Sequence, residues 1–340
     1  MHDTPVRQAD GKLPRVLRVD PERPDPRVIA EAARVILAGG LVGFGTETVY
    51  GLGARAMDPA AIARLYAAKG RPAHNPLIAH VATARAARAL AATWNAAAER
   101  FAAAFWPGPV TLIVRRAVHA PDCLSAGRDT LAVRVPASMV ALRLLEAVGE
   151  PVAAPSANPS GRLSPTRAEH VVEGLGNRVD LVLDSGPATL GIESSVIDVS
   201  GARPRLVRPG TLTHGELAAV VAELEGPHAD PGPGAARASP GLDASHYAPR
   251  ARVHLVDRTT LAARALPPGE ARIVRTALGD GTGVEIVLGE GAREWAARLY
   301  EVLHGLDARG VDAVWVESPP NTEAWAGIAD RLRRAAAPRH

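Results

Sequence analysis

Short apolar runs alternate with helical repeats in two successive series along this chain of 340 residues. One stretch parts the two series, GPHADPGPGAARASPG from Gly226 to Gly241, and its composition is that of a linker. Apolar strands separated by helices bury both faces of a sheet, so the pattern calls for layered α/β units rather than a bundle or a sandwich. In the first series the spacing predicts helices over PRVIAEAARVIL after Asp25, over DPAAIARLYAAKG with Asp58 as N-cap, and over SMVALRLLEAVG capped by Ser138. Ala84 to Phe105 reads as one or two Ala-rich helices. LVGFGT, PLIAHV, PVTLIVRR, LAVRVP, VDLVLDSG, SSVIDVS and RLVRPG read as strands. Several of these follow one another with no room for a crossover helix, so the sheet is a mixed one. After the linker, ARVHLVD, ARIVRTAL, VEIVLGE and VDAVWVESP, with helices at Ala292 to Leu306 and Thr322 to Ala337, predict a small, parallel-rich, Rossmann-like sheet. No G-x-G-x-x-G follows its first strand, so dinucleotide binding is not expected there. The expected organisation is a flexible tail over residues 1–25, an α/β domain over 26–225, a linker over 226–250 and a second domain over 251–340.

Composition narrows the function classes. Aromatic residues make up only 4% of the chain, so the cores have to be built from Ala, Val and Leu. A net charge of +3 is too small for a protein that coats nucleic acid. Of the 39 basic residues only Lys12 and Lys69 are lysine; the rest are arginine. Cys123 is the single cysteine, which excludes an intrachain disulfide and a cysteine metal site. No H-E-x-x-H or comparable pairing occurs among the histidines. The N-terminus has no apolar core of a signal peptide. The longest apolar stretch, Val35 to Thr46, is about 12 residues, against about 20 needed to cross a bilayer. A cytoplasmic protein is the expectation.

The chemistry has to come from side chains, because no G-x-x-x-x-G-K-[ST] loop is present. Lys69-Gly70-Arg71, then Asn75-Pro76-Leu77 and His80, lies where a helix ends and a strand begins. A point charge and a planar fork flanking a glycine suit a triphosphate. Read alone, the same residues also suit basic capping of a helix end. Ser156-Ala157-Asn158, Ser160-Gly161 and Ser164-Pro165-Thr166 follow the strand PVAAP. Ligands of open α/β sheets collect at the carboxyl ends of strands, and small hydroxyl and amide groups there can bond phosphate, ribose or base. They can equally form a turn in which Ser164 or Thr166 caps the next helix. Glu193-Ser194-Ser195 opens a strand, Arg208-Pro209-Gly210 closes one, and Thr46-Glu47-Thr48 closes the first, with Tyr50 close by. Arg134 stands inside the apolar run LAVRVP. A buried unpaired guanidinium is costly, so it needs either a ligand carboxylate or a structural Asp or Glu. No Ser-His-Asp spacing, paired-carboxylate motif or metal cluster stands out, which leaves hydrolase and metalloenzyme readings without support.

Taken in order, TETVYGLG (Thr46 to Gly53), K-G-R-P-x-x-N-P-L-x-x-H (Lys69 to His80), WPGPVTLI (Trp106 to Ile113) and AVRVP (Ala132 to Pro136) form one series. APSANPSGRLSPT (Ala154 to Thr166), ESSVID (Glu193 to Asp198), RPG (Arg208 to Gly210) and SPG-x-x-x-x-HYAP (Ser239 to Pro249) continue it. The series resembles the YrdC-type threonylcarbamoyl-AMP synthases, in the long form with an extra C-terminal domain. RLYEVLHGLDARGVDAVWVE and IADRLRRAA look like that second domain. Two positions depart from the family pattern: Gly45 stands where the family usually has Pro, which loosens the first strand's end, and Ser195 where it usually has Thr.

The resemblance implies a twisted mixed-sheet α/β catalytic domain plus a small Rossmann-like α/β domain, and a synthase that makes L-threonylcarbamoyl-AMP and pyrophosphate from L-threonine, bicarbonate or CO₂, and ATP. It implies Lys69, Arg71, Ser156 and Asn158 as the catalytic group. Threonine falls to Thr48, His80, Arg134, Ala154 and Ser194, with Arg134 on its carboxylate. ATP falls to Arg71, Asn75, Thr130, Ser156, Ser164, Arg208 and Tyr247. Mg²⁺ is expected with ATP and with few protein ligands. The implied downstream partners are a threonylcarbamoyl transferase and, through it, tRNA. Tyr247 lies in the linker, which on this reading folds back as a lid. The competing readings are an RNA-binding α/β module without chemistry, and carbamoyl-adenylate formation as in hydrogenase maturation proteins.

Overall fold

The computed structural model describes residues 13–226, 247–279 and 283–338. Its strands and helices, in chain order, are β1 (Arg15–Arg18), α1 (Pro26–Leu37), β2 (Val42–Gly45), β3 (Tyr50–Arg55), α2 (Pro59–Lys69), β4 (Ile78–His80), α3 (Ala84–Ala89), α4 (Ala96–Phe105), β5 (Val110–Arg115), α5 (Asp122–Ser125), β6 (Thr130–Arg134), α6 (Met139–Val148), β7 (Val152–Ala153), α7 (Ala168–Leu175), β8 (Leu181–Asp184), β9 (Ser195–Asp198), β10 (Arg205–Arg208) and α8 (His214–Ala218). After the linker come β11 (Arg252–Val256), α9 (Arg258–Ala262), β12 (Glu270–Val274), β13 (Val284–Val287), α10 (Ala292–Ala308), β14 (Ala313–Glu317) and α11 (Ala326–Ala336).

The first ten strands form one sheet in the order β1-β8-β2-β3-β7-β4-β6-β5-β9-β10. It is mixed: β1–β8, β2–β8, β4–β6 and β5–β9 run parallel, whereas β2–β3, β3–β7, β4–β7, β5–β6 and β9–β10 are antiparallel. Alternation along the strands divides the core. Leu181 and Leu183 of β8 join the cluster under α1 and α6, while Val182 joins the opposite cluster with Val171 and Leu175 of α7. The expected caps set the helix starts. Asp25 accepts from the Arg27 amide, Asp58 from Ala60 and Ser138 from Ala141.

Two expectations need correction here. Residues 15–18 of the expected flexible tail form β1, paired in parallel with β8 along its whole length. The burial pattern of RVLR, exposed at three of four positions, is that of an edge strand, so no apolar run announced it. The first strand does not loosen at Gly45 either, because Gly45 is a register partner of Tyr50. Tyr50–Arg55 makes a separate strand that turns back on β2 at once. Its glycines give little strand propensity, and it is not among the strands that the sequence predicts. Of the expected linker over 226–250, residues 227–246 lie outside the described residues.

The second sheet has the order β11-β14-β12-β13, and every registered pair is parallel. Trp295, Leu299 and Leu303 of α10 and Ile328 and Leu332 of α11 pack on its apolar face. That same cluster takes in Val49, Leu163 and Ile192 of the first domain, so the two domains share a core. The contact is close enough to reach backbone. A Cβ on Gly327 of α11 would stand 2.1 Å from the Gly210 carbonyl oxygen, and one on Gly191 2.2 Å from that of Ala296. No helix among the described residues is long and apolar enough to cross a membrane.

This packing yields a stability prediction. G327A should lower the unfolding free energy by about 1–3 kcal/mol, since the helix must back away from Gly210 to admit one methyl group. Urea denaturation of the two proteins side by side measures it.

Candidate active site

A cleft of about 510 Å³, measured out to its open mouth, runs across the first sheet and is closed on one side by Tyr247. His80 ends β4, Arg134 ends β6, Arg208 ends β10, and Ala154 and Ser156 follow β7 directly. Thr48 reaches it from the β2–β3 turn. That turn is tied by the Thr46 hydroxyl, which donates to the Val49 carbonyl at 2.6 Å and accepts from the Thr48 and Val49 amides, both at 3.2 Å.

Of the expected residues, Thr48, Arg71, His80, Arg134, Ala154, Ser156, Ser194, Arg208 and Tyr247 all line this one cleft. Lys69, Asn75, Asn158, Thr130 and Ser164 do not. Thr130 begins β6 and Arg134 ends it, which separates them by roughly 13 Å along the strand.

Arg134 is only 4% exposed, and its partner is within the chain. One terminal nitrogen donates to Glu47 Oε1 at 2.5 Å and the other to the Thr48 hydroxyl at 3.0 Å, while Nε donates to the Gly108 carbonyl at 3.2 Å. Glu47 Oε2 accepts in turn from the Ala137 amide at 3.0 Å. A ligand carboxylate is therefore not required to neutralise Arg134: of the two partners that the sequence leaves open, the chain supplies the structural one, Glu47. A guanidinium has five N–H groups, so one on each terminal nitrogen is left for a ligand. His80 pairs in register with Arg134. Burial first, and then the Arg134 charge, lowers its pKa to about 3, so the ring is neutral. Its Nδ1–H donates to the Ile78 carbonyl at 3.3 Å, which leaves Nε2 as an acceptor.

Arg71 and Arg208, also in the cleft lining, are held by backbone oxygens. Arg71 donates to the Asn75 and Pro76 carbonyls at 3.3 and 3.0 Å, holding the loop after α2. Lys69 stands behind the wall, donating to the carbonyls of Ser156 and Asn158, both at 2.5 Å. Burial, then the charges of Arg71 and Arg178, holds its ammonium well below the usual lysine range. Lys69 thus clamps the Ser156–Asn158 turn rather than lining the cleft. Asn158 donates to the Pro159 and Arg162 carbonyls, and its Oδ1 is buried without a partner among the described residues. Arg208 donates to the Ser194 carbonyl at 3.0 Å, to the Ser194 hydroxyl at 3.2 Å and to the Tyr247 hydroxyl at 3.4 Å. Tyr247 holds a left-handed backbone, φ 60°, which a bulky residue adopts only when its surroundings impose it. Ser195, at the second departure from the family pattern, accepts from the Gly210 amide at 3.1 Å, a bond that needs only the hydroxyl.

Ser164 and Thr166 do not cap α7, whose N-cap is Arg167 with no side-chain bond. The Ser164 hydroxyl instead donates to Glu193 Oε1 at 2.5 Å. Glu47 and Glu193 stand in the motifs TETVYGLG and ESSVID, but the sequence assigns neither of them a role. Glu47 lies one residue before Thr48 on the same turn, where it meets Arg134. Nothing local assigns Glu193 its partner, because that cation is Arg331, 138 residues away.

No group of three His, Cys, Asp or Glu that could hold a metal exists among the described residues. The two carboxylates nearest the cleft are already paired, Glu47 with Arg134 and Glu193 with Arg331. The donor set does not fit a resident metal site, so Mg²⁺ would enter only as the counter-ion of a nucleotide.

Residues 34–210 match the Sua5/YciO/YrdC family model, described as telomere recombination. Residues 212–337 match the model described as threonylcarbamoyl-AMP synthase, C-terminal domain. The chain is 38% identical to a threonylcarbamoyl-AMP synthase of Pyrococcus abyssi over 325 residues, 92% of this chain and 95% of the relative. It is 37% identical to one of Bacillus subtilis over 330 residues, 92% and 93% of the two chains. The crystal structure of P. abyssi Sua5 complexed with L-threonine superposes with a TM-score of 0.86 at 36% identity, covering 94% of this chain and 97% of that one.

The neutral, buried His80 sets a pH dependence. The unfolded chain takes up a proton near pH 6.5 and the folded chain only near 3, so stability is complete above about 6.5 and falls as pH drops through this window. H80Q should flatten the slope of unfolding free energy between pH 6 and 4 by up to about 1.4 kcal/mol per pH unit. Chemical denaturation across that range checks it.

Proposed function

The chain belongs to the Sua5/YrdC family of threonylcarbamoyl-AMP synthases, in the two-domain form, and we propose how the two sides of its cleft divide the work. It condenses L-threonine, bicarbonate or CO₂, and ATP to L-threonylcarbamoyl-AMP and pyrophosphate. One observation supports the division: groups suited to an amino acid carboxylate and groups suited to a triphosphate line one and the same cleft.

Threonine takes the side of Thr48, His80, Arg134, the Ala154 backbone and Ser194. Its carboxylate meets the two remaining N–H groups of Arg134, a charge-assisted fork. His80, held neutral, accepts through Nε2 rather than adding a second positive charge. The threonine nitrogen attacks the one-carbon unit, losing a proton and expelling the elements of water from bicarbonate, to leave a carbamate. A carbamate oxygen then attacks the α-phosphorus, and the bond to the bridging oxygen breaks with the electron pair leaving on pyrophosphate. ATP lies along Arg71, Ser156, Arg208 and Tyr247, while Asn75 and Ser164 act from behind the lining, through Arg71 and Glu193. Two anions must approach each other in this step. Arg71 and Arg208, fixed by carbonyls before substrate arrives, offset their repulsion and the charge developing on pyrophosphate without reorganising. Lys69 and Asn158 work through the turn they hold. Proximity supplies much of the rest, since both reactants are held in line.

The carbamate is anionic as formed, so no general base is needed for the second step. Tyr247, buried beside Arg208, shields a hydrolysable mixed anhydride from water. The adenylate then passes to a separate threonylcarbamoyl transferase that modifies the adenosine following the anticodon of ANN-decoding tRNAs, in the cytoplasm.

Pyrophosphate release should require ATP, threonine and bicarbonate together; release that is unaffected by leaving out threonine would refute the reading. R134K keeps the charge and loses the fork. It should raise the KM for threonine about 10–100-fold, the equivalent of one or two charge-assisted bonds, and leave the KM for ATP within twofold.

A further inference from the structure

The C-terminal domain sends one arginine into the wall behind the nucleotide side of the cleft. Arg331, on α11, has a fully buried side chain. Its Nε donates to Glu193 Oε2 at 2.8 Å. One terminal nitrogen donates to the Pro209 carbonyl at 2.7 Å and to Asp330 Oδ2 at 3.0 Å, and the other to the Glu193 backbone carbonyl at 3.3 Å. The guanidinium carbon stands 5.4 Å from the centre of the Tyr247 ring.

We propose that Arg331 is a positioning residue for ATP, so that the C-terminal domain completes the nucleotide side of a cleft it does not line. This rests on the reading of the cleft given above. Each group that Arg331 holds lines the cleft or is one step from it: Glu193 and Tyr247 are in the lining, and Pro209 adjoins Arg208. Glu193 takes the Ser164 hydroxyl on its other oxygen, at 2.5 Å, and precedes Ser194, whose carbonyl and hydroxyl fix Arg208. Pro209 follows Arg208 in the chain. Tyr247 lines the cleft and its hydroxyl meets Arg208.

The shape of the group matters as well as its charge. A planar fork reaches Glu193, Pro209 and the Tyr247 ring at once, which an ammonium on a flexible stem does not. The depth of insertion is set one turn earlier, where Gly327 lets α11 rest on the Gly210 carbonyl. Tyr300 of α10 adds a bond from its hydroxyl to Glu193 Oε2 at 3.3 Å. Asp330 is shared with Arg334 at 3.0 Å, so the cluster pairs two carboxylates with two guanidiniums and needs no further counter-charge.

The test uses the full chain and its R331K and Y300F variants. Pyrophosphate release is measured with ATP varied at saturating threonine and bicarbonate, then with threonine varied at saturating ATP. The ATP dissociation constant is measured directly by calorimetry. R331K should raise the KM and the dissociation constant for ATP at least tenfold and leave the KM for threonine within twofold. Damage to folding alone would lower kcat without separating the two KM values, and that outcome overturns the proposal, as does unchanged ATP affinity. Should R331K not fold, Y300F carries the test: a two- to fivefold weaker ATP affinity supports the proposal, and an unchanged one overturns it. A wild-type chain that binds ATP but releases no pyrophosphate overturns the reading of the cleft, while the affinities of wild type and R331K still decide the role of Arg331. A wild-type chain that does not bind ATP overturns both.

Discussion

A guanidinium taken out of water has to be surrounded by carboxylate or carbonyl oxygens, and the floor of this cleft is laid out by that requirement. Arg134, Arg208 and Arg331 are each almost fully buried. Glu47 neutralises the first, Ser194 and Tyr247 give oxygens to the second, and Glu193 neutralises the third. Removing one member of a buried pair leaves the other charged and unpaired, at about 3–5 kcal/mol. The side chains that would meet substrate are thus also ones the fold cannot readily lose. The near absence of lysine is consistent with this: a guanidinium is less strongly hydrated than an ammonium and spreads its donors over several oxygens. Lys69 is the exception, and it too is buried against two carbonyls.

The same requirement explains why two domains behave as one site. Glu193 opens β9 of the first domain, yet its cation comes from the last helix of the second. Around that pair the apolar cluster continues across the boundary, from Val49 and Ile192 to Trp295 and Ile328. Two glycines let backbone meet backbone there. Interfaces between domains that move freely are looser and more polar than this. An adenylate-forming cleft gains from such rigidity, because its cations have to be aimed before charge develops on pyrophosphate.

Much of the fold was legible in the chain. Caps at Asp25, Asp58 and Ser138 and the apolar strands act locally and leave local marks. The Glu-free, glycine-rich YGLGAR did not read as a strand, because β3 owes its conformation to neighbours on both edges rather than to its own residues. The exposed RVLR of β1 escaped for a related reason: it borrows its hydrogen bonds from β8, which arrives more than 160 residues later. At the site, Arg134 announced that it needed a partner but not which one. Glu47 and a ligand carboxylate answer the same chemical demand, and only coordinates separate them.

The sequence by itself determined the class of fold and, through its resemblance to one family, the reaction, because motifs and helix or strand periodicity depend on spacings of a few residues. The tertiary structure decided which residues face the cleft and which stand behind it, setting Lys69, Asn158 and Ser164 back from the surface that Arg71, Ser156 and Arg208 present. It also decided that Arg331 is the cation that pairs with Glu193. Pairing between charges far apart in the chain is settled by which buried groups would otherwise be left without a partner, and that is a property of the packed interior, absent from any local stretch of residues.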